Sequence, residues 1–399
     1  MIERTKYLDK LMGYRSKQII KVVTGVRRCG KSTLLKLYAE RLVLDGVPRE
    51  RIAEVNFEDF SNDHLLDKKA LHTYILSQLK EGEMTYVFLD EVQRVAEFEK
   101  VVDSLFLREG VDLYITGSNA NLLSGELATL LSGRYVEIEL LPLSFKEYVS
   151  GREGVVGLAE LYTEYLTRSS FPYAAAFSGN QEQIDEYLTG IYNTVLVKDI
   201  ASRNQLTDVM LLESIARFCF DSIGCRVSAK KIADTLASSG RKADVKTIEK
   251  YLRALADSFL LYEAKRYDIK GKQHLKTLEK YYAVDNALRR VLLGRRGSDV
   301  GHVLENIVYL ELRRRGGKVF TGKIGQSEVD FVHMTPDGQV SYYQVAATLR
   351  AEDTLSRELA PLVSIKDHGP KYLLSLDEDP DEVLDGIVKK NALRWLAED

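Results

Sequence analysis

Cysteine is scarce in this 399-residue chain: Cys29, Cys219 and Cys225 are the whole supply, at spacings that match no metal-ligand pattern. A disulfide scaffold and a zinc site are thereby excluded, and such usage is expected of a reducing, cytoplasmic compartment. Long apolar runs are also missing. No stretch approaches the roughly 20 apolar residues that span a bilayer. The start, Met1-Ile2-Glu3-Arg4-Thr5-Lys6, is charged with no apolar signal core behind it, so no membrane partner is expected. Net charge is small, −3, but unevenly spread. Arg226 to Arg296 holds 18 Lys and Arg against 8 Asp and Glu, a local +10 that leaves −13 on the remainder. A basic middle in an acidic chain fits a polyanion partner such as DNA, or a lysine-rich solvated helical surface. Hydrophobic residues make up 45%, ample for buried cores, and the length fits two or three domains.

The most informative stretch is Gly25-Val26-Arg27-Arg28-Cys29-Gly30-Lys31-Ser32, which fits G-x-x-x-x-G-K-S/T, the phosphate-binding loop of nucleotide hydrolases. Glycines let successive backbone N–H groups point inward at phosphate oxygens. Lys31 offers a charge to the β- and γ-phosphates, and Ser32 a hydroxyl to Mg²⁺. The apolar run Gln18 to Thr24 reads as a strand before the loop, and Ser32, Thr33 and the residues to Ala39 open a helix after it. Gly25 through Thr33 are therefore the candidate contacts for ATP. Cys29 lies inside the loop, either as a small filler or as a thiol whose oxidation would block nucleotide.

Downstream, Tyr86-Val87-Phe88-Leu89 ends in Asp90-Glu91. A strand tipped by two acids is the second nucleotide motif: Asp90 for Mg²⁺, together with Ser32, and Glu91 to polarise the attacking water. Residues 1 to about 18 read as a helix, Ala53 to Phe57 as a strand, and Leu113 to Thr116 as another, followed by Gly117-Ser118-Asn119. Ser118 and Asn119 are both candidates to position the lytic water. Leu122 to Leu131 reads as a helix, and Tyr135 to Leu140 as a fifth strand. Strands alternating with helices indicate a parallel α/β sheet with ligands at the carboxyl ends of its strands.

These motifs together resemble an AAA+ ATPase of the additional-strand class. The resemblance implies two further roles. An arginine at the end of the helix before the fifth strand often reaches a neighbouring subunit's γ-phosphate, and Arg134 holds that place; this implies a homo-oligomer, although a structural arginine fits equally. A polar residue on the second strand often restrains the catalytic glutamate, and Asn56 matches that position.

Pro142 to about residue 210 reads as mostly helical, interrupted at Phe171-Pro172-Tyr173; in AAA+ proteins a helical lid sits here. From Leu211 the pattern becomes three helices (Leu212 to Phe220, Ser228 to Ala237, Asp244 to Leu255) and a hairpin pairing Leu260 to Tyr267 with Lys280 to Val284. This resembles a winged helix-turn-helix, whose third helix enters the major groove in DNA-binding versions. Lys246, Lys250 and Arg253 are the candidate contacts on that helix, and Lys265, Arg266, Lys270 and Lys272 those in the wing. Winged helices in ATPases also serve as lids or subunit contacts.

Near the end, a helix (Gly301 to Leu312) and strands Ser327 to Val332 and Ser341 to Ala346 resemble the restriction-endonuclease-like core. There a helix glutamate, a strand aspartate and an E/Q-x-K bind metal and activate water. Glu305, Asp330 and Gln344 fit, but Ala346 stands at the lysine position, which implies an inactive fold unless Lys323 or Arg350 substitutes. Taken whole, the chain resembles the prokaryotic archaeal-type AAA+ ATPases fused to an endonuclease-like C-terminal domain. The expected architecture is α/β: an ATPase core at 1–141, a helical lid at 142–210, a winged helix at 211–296 and an endonuclease-like domain at 297–399. The expected function is an ATP hydrolase whose nucleotide state controls DNA binding. The rivals are an ATP-driven protein switch and an ATP-gated nuclease.

Overall fold

The computed structural model describes residues 2–120, 133–152, 154, 156–294 and 299–398. The helix expected at Leu122 to Leu131 lies outside them. The chain forms two compact units, Met1–Leu141 with Asp257–Phe259, and Pro142–Ala256 with Leu260–Asp399.

The first unit is built on a five-stranded parallel sheet in the order β2-β3-β4-β1-β5. The strands are β1 (Ile20–Thr24), β2 (Ile52–Asn56), β3 (Thr85–Asp90), β4 (Val111–Gly117) and β5 (Tyr135–Glu139). Helices α1 (Thr5–Gly13), α2 (Lys31–Leu44), α3 (Lys68–Gln78) and α4 (Phe98–Phe106) join them. β1 and β3 are buried along their whole length, as suits largely apolar parallel strands covered on both faces. Ile20, Val22, Val87, Leu89, Leu113 and Ile115 pack with Leu71 and Ile75 of α3 and Val102 and Leu105 of α4. β1 lies between β4 and β5, so the loop after it opens among the carboxyl ends of the strands.

The other end of this sheet is pinned by a fully buried ion pair, Lys21 with Asp112. Asp112 also accepts from Tyr114 Oη (2.9 Å) and from the backbone N–H of Ser16 (2.7 Å). The Lys21 ammonium further donates to the Lys17 carbonyl at 2.9 Å. Pairing plus these hydrogen bonds is what makes two buried charges tolerable.

The second unit opens with helices α5 (Phe145–Ser150), α6 (Leu158–Arg168), α7 (Pro172–Ala176), α8 (Gln181–Thr194) and α9 (Val209–Asp221). Ser144 and Glu147 form a capping box at α5, and Asn180 and Gln183 one at α8. The apolar run from Ile191 continues α8 through a wide π-turn segment, Val195–Ser202. There follow β6 (Arg226–Val227), α10 (Ala229–Ser238), α11 (Val245–Asp257), β7 (Leu261–Asp268) and β8 (Gln273–Ala283). β8 pairs antiparallel with both β6 and β7.

The rest comprises α12 (Asn286–Leu293), α13 (Val300–Arg314), β9 (Lys318–Ile324), β10 (Ser327–Met334), β11 (Val340–Ala346), α14 (Glu352–Val363), β12 (Lys371–Ser375), β13 (Glu382–Leu384), β14 (Ile387–Asn391) and α15 (Ala392–Ala397). β6 to β14 make one mixed nine-stranded sheet, ordered β13-β14-β12-β11-β10-β9-β7-β8-β6. The join is β7 with β9, parallel, with Arg266 opposite Thr321 and Asp268 opposite Lys323. The hairpin expected as a wing is thus hydrogen-bonded through β7 to the C-terminal strand β9. Helix α13 secures the same join. Its buried Asn306 exchanges two hydrogen bonds with the backbone of Ala283 (2.7 and 3.0 Å), and Tyr309 stacks on Tyr282 with ring centroids 4.1 Å apart.

Candidate functional site

The loop after β1 takes its shape from two glycines. Gly25 has φ +146°, and a Cβ there would lie 2.2 Å from the Leu140 carbonyl oxygen. Gly30, at φ +105°, caps the N-terminus of α2. Only glycine meets both demands without strain. From beneath, the Arg4 guanidinium donates to the carbonyls of Cys29 (3.3 Å) and Leu141 (2.7 Å). Cys29 is fully buried, and burial pushes its thiol above the ordinary range, so it serves here as a packing filler. Arg28 has φ +69°, and Arg27 pairs with Glu58 at 2.9 Å.

Lys31 begins α2 and is almost buried, with its ammonium donating to the carbonyls of Gly25 (3.1 Å) and Val26 (3.3 Å). It lies 3.5 Å from Glu91 Oε1. Asp90 ends β3, and Glu91 follows at φ +55° in the left-handed region, turning its side chain back toward Lys31. Strand β4 supplies the residue that joins these acids. Leu89 is opposite Ile115, so Thr116 arrives level with Asp90. Its hydroxyl donates to Asp90 Oδ1 (2.5 Å) and accepts the backbone N–H of Glu91 (2.8 Å).

The surroundings shift the two acids in opposite directions. Burial pushes the Asp90 carboxyl up, opposed by the hydroxyls of Ser32 and Thr116. Burial also works against an ionised Glu91, but Lys31, Gln93, Arg27 and Ser118 together hold it below its ordinary value. Gln93 Nε2 donates to Glu91 Oε2 at 2.5 Å. Glu91 is therefore ionised, as a group that accepts a proton from water must be. Ser32 and Asp90 present only oxygen donors, the set that suits a hard divalent cation.

Of the residues expected at the tip of β4, Ser118 and Asn119 are both buried, and Ser118 faces Glu91. The Asn56 amide oxygen accepts the N–H of Glu58 (2.8 Å), closing an Asx turn. The side-chain amide on Glu91 is that of Gln93. Arg134 sits at the other end of the sheet, its carbonyl accepting from Ile20 N–H at 2.8 Å. Five residues of β1, roughly 16 Å of strand, separate that point from Gly25, so Arg134 does not serve its own phosphate loop. It pairs with Asp103 at 2.6 Å, both half-exposed.

In the second unit, Lys246, Lys250 and Arg253 are exposed on α11, as are Lys265 and Lys270 in the hairpin. Arg266 is a correction. It is only 8% exposed, because β7 is flanked by β9 and not left at an edge. Glu305, Asp330 and Gln344 do come together, from α13, β10 and β11. Gln344 Oε1 accepts from Asp330 N–H (3.2 Å), and its Nε2 donates to Glu358 (2.7 Å). Asp330 Oδ2 accepts from Val345 N–H at 2.9 Å. Burial, with the charge of Glu305 next, pushes Asp330 up to about 8, while Lys280, His302 and Tyr282 hold Glu305 below its ordinary value against burial. Arg350 pairs instead with Asp377 (3.5 Å), and Lys323 lies on β9 opposite Asp268 and Glu328. Lys280 of β8 is a cation placed beside both Glu305 and Asp330.

Residues 17–149 match the AAA domain family, and residues 159–299 match a domain of unknown function, DUF8612. An uncharacterised protein of Haemophilus influenzae is 40% identical over 400 aligned positions, covering 99% of this chain and 98% of its own. This chain belongs to its family. The uncharacterised protein MJ1544 of Methanocaldococcus jannaschii is a further relative, 30% identical over 331 residues, 78% of this chain and 71% of its own. Among solved structures, the Walker-type ATPase PABY2304 of Pyrococcus abyssi superposes with a TM-score of 0.50 at 16% identity, covering 73% of this chain and 96% of that one. At that identity the likeness shows the fold. The first unit of this chain thus carries an AAA domain with the fold of that Walker-type ATPase. Among the described residues, no helix is long and apolar enough to cross a membrane.

Proposed function

We propose that this protein hydrolyses ATP at the phosphate loop and that its nucleotide state governs contact with DNA through the second unit. The observation that carries the first part is the convergence of Lys31, Asp90, Glu91 and Thr116 at one end of the sheet. The loop N–H groups and Lys31 bind the phosphates, and α2 adds its N-terminal dipole. Ser32 and Asp90 hold Mg²⁺, which when bound neutralises phosphate charge. Glu91 accepts a proton from the attacking water, and Ser118 lies where it orients that water or the glutamate. In this reading Asn119 is the alternative to Ser118 for positioning the water, Asn56 restrains the catalytic glutamate until a partner binds, and Arg134 completes the site of a second copy in a homo-oligomer.

The DNA reading rests on the exposed basic row of Lys246, Lys250 and Arg253 on α11, together with the exposed Lys265 and Lys270 of the hairpin. Three helices with an antiparallel strand set also support a winged helix, and the α13–β10–β11 arrangement supports an endonuclease-like descent without cleavage. A cytoplasmic location goes with this reading. The test is ATP binding and turnover in two variants. Lys31→Ala loses ATP binding, and Glu91→Gln binds ATP but turns it over roughly 10²–10⁴ times more slowly, the usual worth of a general base. Wild-type affinity in the first or wild-type turnover in the second would refute the assignment.

A further inference from the structure

We propose that the ammonium of Lys280 is the resident cation of the Glu305–Glu328–Asp330 cluster, standing where a nuclease-like arrangement would seat a divalent metal. Lys280 Nζ lies 2.9 Å from Glu305 Oε1, 2.7 Å from Glu328 Oε1 and 3.8 Å from Asp330 Oδ1. Its side chain is 5% exposed. A metal on the same oxygens, at about 2.1–2.6 Å, would have to share the ammonium's space. Other protein groups flank the same carboxylates. Tyr282 Oη donates to Glu305 Oε1 at 2.7 Å, and Glu305 Oε2 lies 3.6 Å from His302 Nδ1. Arg226 Nε donates to Glu328 Oε2 at 2.6 Å, and Asp330 Oδ2 is taken by the Val345 N–H. Gln344, the residue that would lend a metal its amide oxygen, directs that oxygen at the backbone of Asp330. The donor set therefore does not fit a metal as it stands, because each carboxylate already answers to a built-in cation or a hydrogen bond.

The arrangement explains the alanine at position 346. With the positive charge delivered from β8, a lysine on β11 would be a second cation at a compensated site. It also gives Lys280 a mechanical duty. One ammonium joins the hairpin to α13 and β10, the elements that would otherwise need a metal to hold their acids together.

The experiment counts Mn²⁺ bound per chain by electron paramagnetic resonance on nucleotide-free, full-length protein. Asp330→Asn, Lys280→Met and the double variant are compared with wild type, and folding is checked by circular dichroism. Any Mn²⁺ at the phosphate loop is common to all four and cancels. Wild type and Asp330→Asn bind equal Mn²⁺, while Lys280→Met gains one ion per chain that the double variant loses. One ion more in wild type than in Asp330→Asn would overturn the proposal, as would a folded Lys280→Met with no gain. If Lys280→Met does not fold, the wild-type pair decides alone: equal counts uphold the built-in cation, and unequal counts overturn it.

Discussion

Replacing Thr116 with valine tests whether β4 sets the geometry of the two acids. Valine keeps the shape and the β-branching of threonine but removes the hydroxyl. Two hydrogen bonds then go: the one donated to Asp90 Oδ1 and the one accepted from Glu91 N–H. Thr116 is fully buried, so no water replaces it, and the Glu91 N–H is left without its acceptor. Such an orphaned group costs about 1–3 kcal/mol. If that cost falls on the arrangement that hydrolysis requires, turnover drops by about 5–150-fold at 1.36 kcal/mol per decade. Asp90 loses one of two hydroxyls that oppose the effect of burial, so its carboxyl moves further up and its hold on Mg²⁺ weakens. Turnover should therefore recover in part at higher Mg²⁺ and higher pH. The assay is steady-state ATP hydrolysis across Mg²⁺ and pH, beside ATP affinity from a fluorescent analogue. Affinity should change less than turnover, because the phosphate loop itself is untouched. Thr116→Ser, which restores the hydroxyl, should recover most of the rate. Wild-type turnover in Thr116→Val, or a serine variant no better than valine, would refute the reasoning.

Arg134 completing a neighbour's site predicts that specific activity rises with protein concentration and that Arg134→Ala loses up to roughly 10³–10⁵ in rate. Mixing Arg134→Ala with Lys31→Ala should restore part of it; activity strictly proportional to concentration, with no rescue, would leave Arg134 as the partner of Asp103 alone. Cys225 should be the thiol that iodoacetamide alkylates first: it is half-buried and a contact to His302 lowers its pKa, whereas burial raises Cys29 and pushes Cys219 up to about 12. Because the shift is downward, its labelling rate should level off at lower pH than that of an ordinary thiol, and peptide mapping that found Cys29 or Cys219 labelled first in folded protein would contradict this. On the DNA side, Lys246→Glu with Lys250→Glu should weaken duplex binding irrespective of sequence and flatten its salt dependence, which runs at about 0.9 in log K per phosphate neutralised. Fluorescence anisotropy at several salt concentrations reads this, and no binding near 0.1 M salt with either ATP or ADP would favour the protein-switch reading.

The parallel sheet was legible because its signals are local. An apolar run, two glycines and a lysine announce β1, the loop and α2 within fifteen residues, and the pair Asp90-Glu91 at the end of β3 is equally compact. Thr116 and Gln93 were not legible as site residues. Thr116 acts through strand register, which only pairing of β3 with β4 reveals, and Gln93 acts because Glu91 adopts a left-handed φ that reverses the chain. Arg4 was hidden for a similar reason: its targets are carbonyls 25 and 137 residues away. Asp285 is another case. It caps α12 through the Leu288 N–H (2.6 Å) and accepts from Ser170 N–H and Oγ (2.7 and 2.6 Å), a role that joins segments 115 residues apart.

The basic middle segment shows how a charge count over a window of sequence overstates a surface. Arg226 and Lys280 pair with Glu328, and Lys280 also with Glu305. Arg241 pairs with Asp208, Arg289 with Asp299, and Arg290 with Asp185. Every one of those acids lies outside 226–296, so the window counts the cations and omits their partners. Arg266, Lys280 and Arg289 are also buried. Half of the apparent excess of ten is thus internal pairing between segments distant in the chain, needed to hold α8, α9, the hairpin and α13 together. Among the described residues, what remains for a polyanion is the exposed set on α10, the α10–α11 connection, α11 and the hairpin: Lys230, Lys231, Lys242, Lys246, Lys250, Arg253, Lys265, Lys270 and Lys272. Phosphate contact should therefore depend on these side chains, whereas reversing Arg226, Arg289 or Arg290 should destabilise the unit, because each sets a second negative charge against a partly buried acid.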